Sequence, residues 1–199
     1  MIKPSEVQQI ARKEGVRDTQ IEKEEANITL SLSDFNSHEN ENINFYVNYV
    51  GPLGGSGANK QVKVDISKNE LLQFDVNERE MFEKYSDHKT CRLKCYSLAE
   101  VMTEKMRSLL SRQQPRDFYD LWYLSEYEGM EMSDYLQEFE TKAKHKGLVS
   151  ENLEIRVNQL LPVFKARWEN SLNGQIRNLP PFDQISREMG RHFRKILKN

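Results

Sequence analysis

The longest regular pattern of apolar and polar residues covers residues 97–124 and predicts two helices that meet at Pro115. Ser97 suits the N-cap of the first helix, because its hydroxyl can accept a hydrogen bond from the first turn, and Glu100 has capping-box spacing. Pro115 cannot continue that helix but suits the first turn of the next. Apolar residues recur at helical spacing and predict one buried face on each helix. These residues are Leu98, Val101, Met102, Met106, Leu109 and Leu110, then Phe118, Leu121, Trp122 and Leu124.

Alternation of apolar and polar residues predicts four strands before these helices. The strands cover residues 27–33, 43–50, 61–67 and 91–96. Short connections between the first three favour antiparallel pairing. In the third strand the two valines and Ile66 are expected to face inward, with Lys63 and Asp65 on the opposite face. The same period of two leads us to interpret Cys91 and Cys95 as small core residues.

Helical patterns occupy most of the remaining chain. They cover residues 4–14, 70–85 (loosely), 133–144, 151–172 and 182–198. Pro162 is expected to break the fourth of these helices. The pattern as a whole predicts an α+β fold, in which a small, mostly antiparallel sheet precedes a helical C-terminal half. We place the boundary between an α/β part, residues 1–96, and a helical part, residues 97–199.

Composition narrows the class of protein only a little. The chain has 199 residues, 37% of them hydrophobic and 30% charged, with a net charge of −2. That balance gives no general attraction to nucleic acid or to an anionic membrane. Two cysteines do not form a disulfide framework, and no apolar run approaches the ~18 residues that a bilayer span needs. We therefore expect a cytoplasmic protein without a membrane segment.

Charged residues cluster around Pro115, and two interpretations of them stay open. They are Lys105, Arg112, Arg116, Asp117 and Asp120. The first interpretation is a solvated group of ion pairs, in which Arg116 and Asp120, four residues apart, can pair on one helix face. The second is the phosphate-and-metal edge of a nucleotide site, because such a set can neutralise a triphosphate and hold a divalent ion.

Two segments carry a resemblance to a known family. The run SLAEVMTEKMRSLLSRQQPRDFYDLWYL, residues 97–124, resembles the signature of AbiEii-like nucleotidyltransferases, a Lys followed by Arg-Asp-x-x-Asp. Those proteins are toxins of bacterial type IV toxin–antitoxin and abortive-infection systems. Upstream, NYVGPLGGSGANKQVKVDIS resembles the same family's hairpin into a strand that carries an aspartate, here Asp65. The resemblance implies a nucleotidyltransferase-like α/β core followed by a helical bundle.

The resemblance also implies an activity and a set of site residues. The activity is transfer of a nucleotide from an NTP to an RNA or protein acceptor with Mg²⁺, and an antitoxin protein is the implied partner. Catalytic roles fall on Asp65, Lys105 and Asp120, and Asp65 is the implied metal ligand. Nucleotide-binding roles fall on Lys63, Arg112, Arg116 and Asp117.

Part of the usual catalytic set is missing from the sequence. Nucleotidyl transfer needs a phosphate-binding turn and carboxylates for Mg²⁺, commonly an Asp-x-Asp strand. The sequence contains no Asp-x-Asp, and the glycines of residues 54–57 lie between two strands, so we interpret them as a connecting loop. We therefore expect the first catalytic block to be absent, naturally or by truncation. The alternative function is a non-catalytic scaffold or partner-binding member of the family, which could self-associate to cover the exposed surface.

The last predicted helix ends in a basic segment. Its residues are Arg187, Arg191, His192, Arg194, Lys195 and Lys198. One interpretation is that these charges complement the helix macrodipole and are otherwise solvated. The other is a small contact surface for RNA or a partner protein.

Overall fold

The computed structural model describes residues 4–14, 31–37, 42–49, 61–80 and 91–196. The strands in these ranges are β1 (Ser31–Ser37), β2 (Asn42–Asn48), β3 (Gln61–Ser67), β4 (Asn77–Glu80) and β5 (Arg92–Cys95). The helices are α1 (Pro4–Glu14), α2 (Leu98–Ser111), α3 (Pro115–Glu126), α4 (Leu136–His145), α5 (Leu153–Leu172) and α6 (Phe182–Ile196). Short 3-10 turns, Met132–Tyr135 and Ser150–Asn152, precede α4 and α5. The α+β prediction is confirmed.

Strands β1, β2 and β3 form one antiparallel sheet in that order, as their short connections predict. The register places Asn44 opposite Asp65 and Phe45 opposite Val64. Strand β1 continues to Ser37, beyond its predicted end, and a register shift interrupts it between Ser33 and Asn36. Residues 27–30, where this strand was expected to begin, lie outside the described residues.

The outer strand β3 departs from its predicted burial. Lys63 and Asp65 are exposed, as expected, but Val62 and Ile66 are exposed as well, so the prediction that they face inward is wrong for both. Alternation identifies the side chains that share a face of a strand. It does not reveal whether another layer of the protein covers that face.

The segment after β3 is not helical in its described part, residues 70–80, so that prediction is wrong there. Residues 77–80 form β4, which pairs with β5, and the stretch before β4 is irregular. The sequence of β4, Asn-Glu-Arg-Glu, has no apolar stripe to anchor a helix. Cys91 is exposed rather than a core residue, because the face that it shares with the half-exposed Leu93 is not covered.

The chain divides into two compact units. One contains residues 1–70 and 80–91, and the other contains residues 71–79 and 92–199. In the first unit, Val7 and Ala11 of α1 and Tyr49 after β2 are buried. The proposed division between residues 96 and 97 stays a prediction.

Within the described part of the chain, the second unit has the larger apolar core, which helices α2 to α6 share. Phe118 of α3 stacks on Phe164 of α5, with ring centroids 5.4 Å apart. The apolar stripes predicted for α2 and α3 supply much of this core, although Leu98 is exposed. None of the described helices is both long enough and apolar enough to cross a membrane.

Helix α5 runs through Pro162 without a break, so the predicted interruption there is wrong. Pro162 lies on the exposed side of the helix, and its neighbours Leu160 and Phe164 are buried on the core side. Their packing holds the helical path although proline removes one backbone hydrogen bond. Helix α6 ends at Ile196, and the predicted extension to Lys198 lies outside the described residues.

Candidate functional site

Asp117, in the first turn of α3, is at the centre of a charged cluster. Its side chain is 0% exposed. Arg112 donates from Nε to Oδ2 over 2.7 Å and from Nη2 to Oδ1 over 2.8 Å, and Lys105 Nζ donates to Oδ1 over 3.1 Å. A carboxylate only accepts hydrogen bonds, and these three charge-assisted donors satisfy it in the absence of water.

Lys105 also joins the next acidic residue along α3. Its Nζ lies 2.5 Å from Oδ2 of Asp120, whose side chain is about one-third exposed. Asp120 therefore pairs across to α2 and not along its own helix, and no ion pair joins it to Arg116 among the described residues. We call Lys105, Arg112, Asp117 and Asp120 the hinge network.

The local sequence explains why these four side chains meet. Arg112 ends α2 in an extended conformation, and its N–H donates to the Ser108 carbonyl over 2.9 Å. Two residues later Pro115 starts α3, which places Asp117 in the first turn, where the macrodipole favours a negative charge. The end of one helix and the start of the next are thus held at one point.

The hinge network is electrically balanced, with two cations and two anions. An ammonium group has three N–H donors, and Lys105 uses two of them on Asp117 and Asp120, which leaves one for a ligand. Arg116, one residue before Asp117, is exposed and forms no ion pair within the described part of the chain. The capacity to bind an anion therefore lies with Arg116, the remaining Lys105 donor and the unused N–H groups of the partly exposed Arg112.

Lys63 and Asp65 form a separate pair on β3. Lys63 Nζ lies 2.8 Å from Asp65 Oδ1, and both side chains are half-exposed. The hydrogen bond that Lys63 donates to Asp65 raises the pKa of Lys63, so its ammonium stays charged. This pair belongs to the first compact unit, whereas the hinge network belongs to the second.

The described residues offer few ligands for a metal ion. Across residues 4–14, 31–37, 42–49, 61–80 and 91–196, no three His, Cys, Asp or Glu side chains come together as a metal site. Asp65 supplies one carboxylate, and Asn44 lies opposite it in the sheet. Mg²⁺ commonly takes one or two carboxylates together with substrate phosphates. This donor set fits a single Mg²⁺ that arrives with a nucleotide, and it does not by itself supply a two-metal clamp.

A buried ion pair that the sequence did not reveal fastens another part of the second unit. Glu100 and Lys142 are both buried and paired, and Lys142 Nζ donates to the Leu71 carbonyl over 2.8 Å. Glu100 Oε2 accepts from the N–H groups of Gln73 and Phe74 over 2.8 and 3.0 Å. Ser97 caps α2 as predicted. The Glu100 carboxylate, however, accepts hydrogen bonds from the segment before β4. Nothing in the local pattern around Lys142 distinguishes it from solvated lysines.

The basic end of α6 is partly neutralised by acidic residues of the same unit. His192 Nε2 lies 2.8 Å from Glu126 Oε1, and Lys195 Nζ donates to Glu131 over 2.6 Å. The hydrogen bond with His192 lowers the pKa of Glu126, and the one with Lys195 lowers the pKa of Glu131, although burial opposes both shifts. Arg191 reaches Glu126 over 3.4 Å. These contacts account for part of the basic segment without an external ligand.

A groove of about 570 Å³ lies between the C-terminal half of α5 and the start of α6. Its walls include Trp168, Pro180 and Phe182, and the exposed pair Lys165–Asp183 borders it. The groove shares no residue with the hinge network.

Comparison with known proteins places the chain in a family. The sequence model of the family described as nucleotidyl transferase AbiEii toxin, type IV toxin–antitoxin system, matches residues 5–199. The chain belongs to the AbiEii family. This match covers nearly the whole chain and confirms the resemblance drawn from residues 97–124. It supports a nucleotidyltransferase-type function in general terms.

Other comparisons add little to the AbiEii assignment. No curated protein matches the chain. Among solved structures, it is similar to the crystal structure of JHP933 from Helicobacter pylori, with 17% identity and a TM-score of 0.48. The alignment covers 85% of this chain and 65% of the Helicobacter protein, so the chain spans about 65% of that protein's length.

Proposed function

We propose that this AbiEii-family chain binds a nucleoside triphosphate and transfers its nucleotide to an RNA or protein acceptor. Asp117 carries the proposal, because a fully buried carboxylate holds Lys105 and Arg112 at the centre of the family signature. Solvated ion pairs contribute little to stability and need no burial, whereas removing a charge from water is costly. A buried network of this kind is better explained by the positioning of charged groups for a ligand.

The proposed roles follow from the contacts of each residue. Lys105 and the exposed Arg116 contact phosphate oxygens, and Asp117 keeps Arg112 and Lys105 in place. Asp120 orients Lys105 and accepts the proton of the attacking hydroxyl. As the acceptor oxygen bonds to the α-phosphorus, the bond to pyrophosphate breaks, and these cations stabilise the charge that develops on the leaving group.

In the first unit we propose nucleotide-linked roles for Asp65 and Lys63. Asp65 would supply one carboxylate ligand to a Mg²⁺ ion that is bound to nucleotide phosphates, and Lys63 a phosphate contact. When bound, the ion would neutralise phosphate charge. The exposure of both side chains and their position on the polar face of β3 support these roles.

Calorimetry of the full chain tests nucleotide binding. ATP, GTP, CTP and UTP would each be titrated with and without Mg²⁺ into the wild type, Lys105→Met, Asp65→Ala and the exposed-site control Lys144→Met. We expect Mg²⁺-dependent binding of at least one nucleotide, weakened about tenfold or more by Lys105→Met and Asp65→Ala, since hydrogen bonds to charged groups are the strong ones. Absence of heat with all four nucleotides, in protein shown to be folded by circular dichroism, would reject the proposal.

A non-catalytic scaffold is the second candidate, and two observations favour it. Within the described residues Asp65 belongs to no group of three or more His, Cys, Asp or Glu side chains that could hold a metal ion, and both aspartates of the hinge network are already paired with cations. This candidate predicts a stable fold without nucleotide turnover, together with self-association. A protein that is monomeric by light scattering and labels an acceptor from α-labelled NTP in the presence of Mg²⁺ would contradict it.

Family membership also motivates proposals about the cellular setting. AbiEii toxins belong to type IV toxin–antitoxin systems, and we propose an antitoxin protein as partner and the bacterial cytoplasm as location. Co-expression of the chain with a candidate antitoxin, scored by cell growth, tests the partnership.

A further inference from the structure

Three tyrosines of the second unit form a row along α3 that the proposed chemistry does not use. Tyr119, Tyr123 and Tyr127 follow one another at intervals of four residues, and we call them the tyrosine face. The rings of Tyr123 and Tyr127 are nearly parallel, with centroids 5.1 Å apart and planes at 10°. Tyr119 and Tyr123 are 6.4 Å apart with planes at 28°. Tyr123 is 42% exposed and Tyr127 is 66% exposed.

Tyr119 packs against the apolar core, whereas Tyr123 and Tyr127 are exposed and are not part of it. Phe118, Leu121 and Trp122 form the buried side of α3, Tyr123 is exposed, and the exposed ring of Tyr127 lies edge-on against Trp122 with ring centroids 5.2 Å apart. Neither of these two hydroxyls donates to another described residue. A contiguous row of exposed aromatic rings is unfavourable in water and is typical of a surface that binds a partner.

Two exposed arginines border the tyrosine face. At 100° per residue, Arg116 lies on the same side of α3 as Tyr123 and Tyr127. Arg116 is exposed, and the half-exposed Arg191 of α6 reaches the flank of the face at Glu126. Of the acidic residues nearby, Asp120 pairs with Lys105 and Glu126 contacts His192 and Arg191, whereas Glu128, next to Tyr127, is exposed.

We propose that the tyrosine face binds the unpaired bases of a single-stranded nucleic acid by stacking, with Arg116 and Arg191 beside the phosphates. Aromatic side chains hold unpaired bases in this way, and arginine adds phosphate and cation–π contacts. A duplex keeps its bases stacked on one another and cannot offer them to tyrosines. A protein partner could also use tyrosines, but arginines at both borders of the row favour phosphates.

One end of the tyrosine face lies at the hinge network, and the biological role inferred for the face rests on the proposed function. From Arg116 to Tyr127 the face runs along about 16 Å of helix, and its first turn contains Asp120 of the hinge network. A strand on the tyrosines would therefore have one end beside Lys105, where nucleotide transfer is proposed. The acceptor is then a nucleic acid strand and not a protein hydroxyl.

Fluorescence anisotropy of the full chain with a labelled, unstructured oligouridine of about a dozen nucleotides tests the surface. The variants are Tyr123→Ala/Tyr127→Ala, the conservative Tyr123→Phe/Tyr127→Phe, and Tyr96→Ala as a control at an exposed tyrosine outside the face. The double alanine variant is expected to raise Kd about tenfold or more, because stacking contributes ~1–3 kcal/mol per base. The phenylalanine variant and Tyr96→Ala should change Kd less than twofold, and a duplex of the same length should compete weakly.

The salt dependence of oligonucleotide binding in Arg116→Gln gives a second test. A purely structural role for the tyrosines would not change this salt dependence. Removal of one phosphate contact should lower the slope of log Kd against log salt by about one, with the fold unchanged by circular dichroism.

The proposal is overturned if the wild type does not bind the oligonucleotide, or if the double alanine variant binds it as the wild type does. Loss of self-association or of a protein partner in that variant, with oligonucleotide binding intact, would also overturn it. Calorimetry with NTPs on the same proteins separates the two ideas. Tyrosine-dependent oligonucleotide binding without NTP binding supports the surface and rejects the proposed transfer, whereas NTP binding without oligonucleotide binding does the reverse.

Discussion

Among individual residues, the most informative are charged side chains that the helices bury. Asp117 and Glu100 are buried carboxylates, although helical periodicity places both among the polar positions of α3 and α2. Each is satisfied by several donors: Lys105 and Arg112 for Asp117, and backbone N–H groups and Lys142 for Glu100. A buried charge without such partners would be strongly destabilising, so loss of a partner is the sensitive test of each network.

Substitution of Asp117 by asparagine should destabilise the second unit by about 2 kcal/mol. Removing one partner of a fully buried pair typically costs about 3–5 kcal/mol, and the partial exposure of Arg112 reduces that figure. Urea unfolding followed by fluorescence measures the effect, because both tryptophans, Trp122 and Trp168, lie in this unit. Asp120→Asn, at a partly exposed member of the same network, is the control and should cost less than about 1 kcal/mol. Equal effects of the two substitutions would contradict the burial argument.

Among the elements, the contact of α6 with α3 and the 3-10 turn that follows depends on ion pairs as well as apolar packing. Trp122 Nε1 donates a hydrogen bond to Glu188 over 2.7 Å. Glu126 is hydrogen-bonded to His192, and Glu131 accepts a hydrogen bond from Lys195. This explains why the basic end of α6, which the sequence alone leaves unassigned, lies against acidic residues.

These contacts predict a loss of stability in acid. The pKa values of Glu126 and Glu131 are lowered from an ordinary 4.5, so both carboxylates bind protons less tightly in the folded chain than in the unfolded one. Their contribution is therefore present above that value and is lost as the pH falls below it. Melting temperatures from pH 6 to pH 3.5 should fall, and less steeply in Glu131→Gln than in the exposed-site control Glu128→Gln. Parallel curves for the two variants would show that the pair with Lys195 does not contribute.

Helix α5 provides a prediction about backbone hydrogen bonding. Pro162 is exposed within a continuous helix, so Pro162→Ala can restore the missing N–H without disturbing the core. An interior proline costs a helix about 3 kcal/mol, and greater freedom of the unfolded chain with alanine offsets about 1 kcal/mol. We expect a net gain of about 1–2 kcal/mol in the free energy of unfolding by urea. A destabilised variant would mean that the proline ring itself packs against the structure.

At the scale of the whole molecule, the two compact units differ in how much apolar core their described residues form. The helical unit buries a large cluster, whereas the buried apolar residues described in the other unit are Val7, Ala11 and Tyr49, and its strands leave Val62 and Ile66 exposed. We expect urea to unfold the first unit at lower concentration, because burial of apolar surface is the main stabilising contribution.

This difference should appear as two transitions that do not coincide. Far-UV circular dichroism reports both units, whereas tryptophan fluorescence reports the second, so the dichroism change should begin at lower urea. Asp117→Asn should move the fluorescence transition and leave the first part of the dichroism change in place. Superimposable curves for the two probes would show instead that the chain unfolds as a single cooperative unit.

Much of the architecture could be predicted because it depends on local patterns. Periodicity and capping place α2 and α3 on either side of Pro115, and alternation places β3 at residues 61–67. The same patterns lead to errors where burial decides. A charged stretch near residues 77–80 becomes a strand through pairing with β5, and Pro162 stays within α5 through packing on the core.

The sequence by itself determined the α+β order of elements, the family and the charged residues around Pro115, since each depends on residue types at fixed spacing. The tertiary structure alone decided which of those charges meet. It paired Asp120 with Lys105 instead of Arg116, buried Asp117 and Glu100, and brought Lys142 to Glu100 from 42 residues away. Spacing along a helix shows which residues share a face, but it does not show which element packs against that face. That neighbouring element determines whether a charge is solvated, paired or buried.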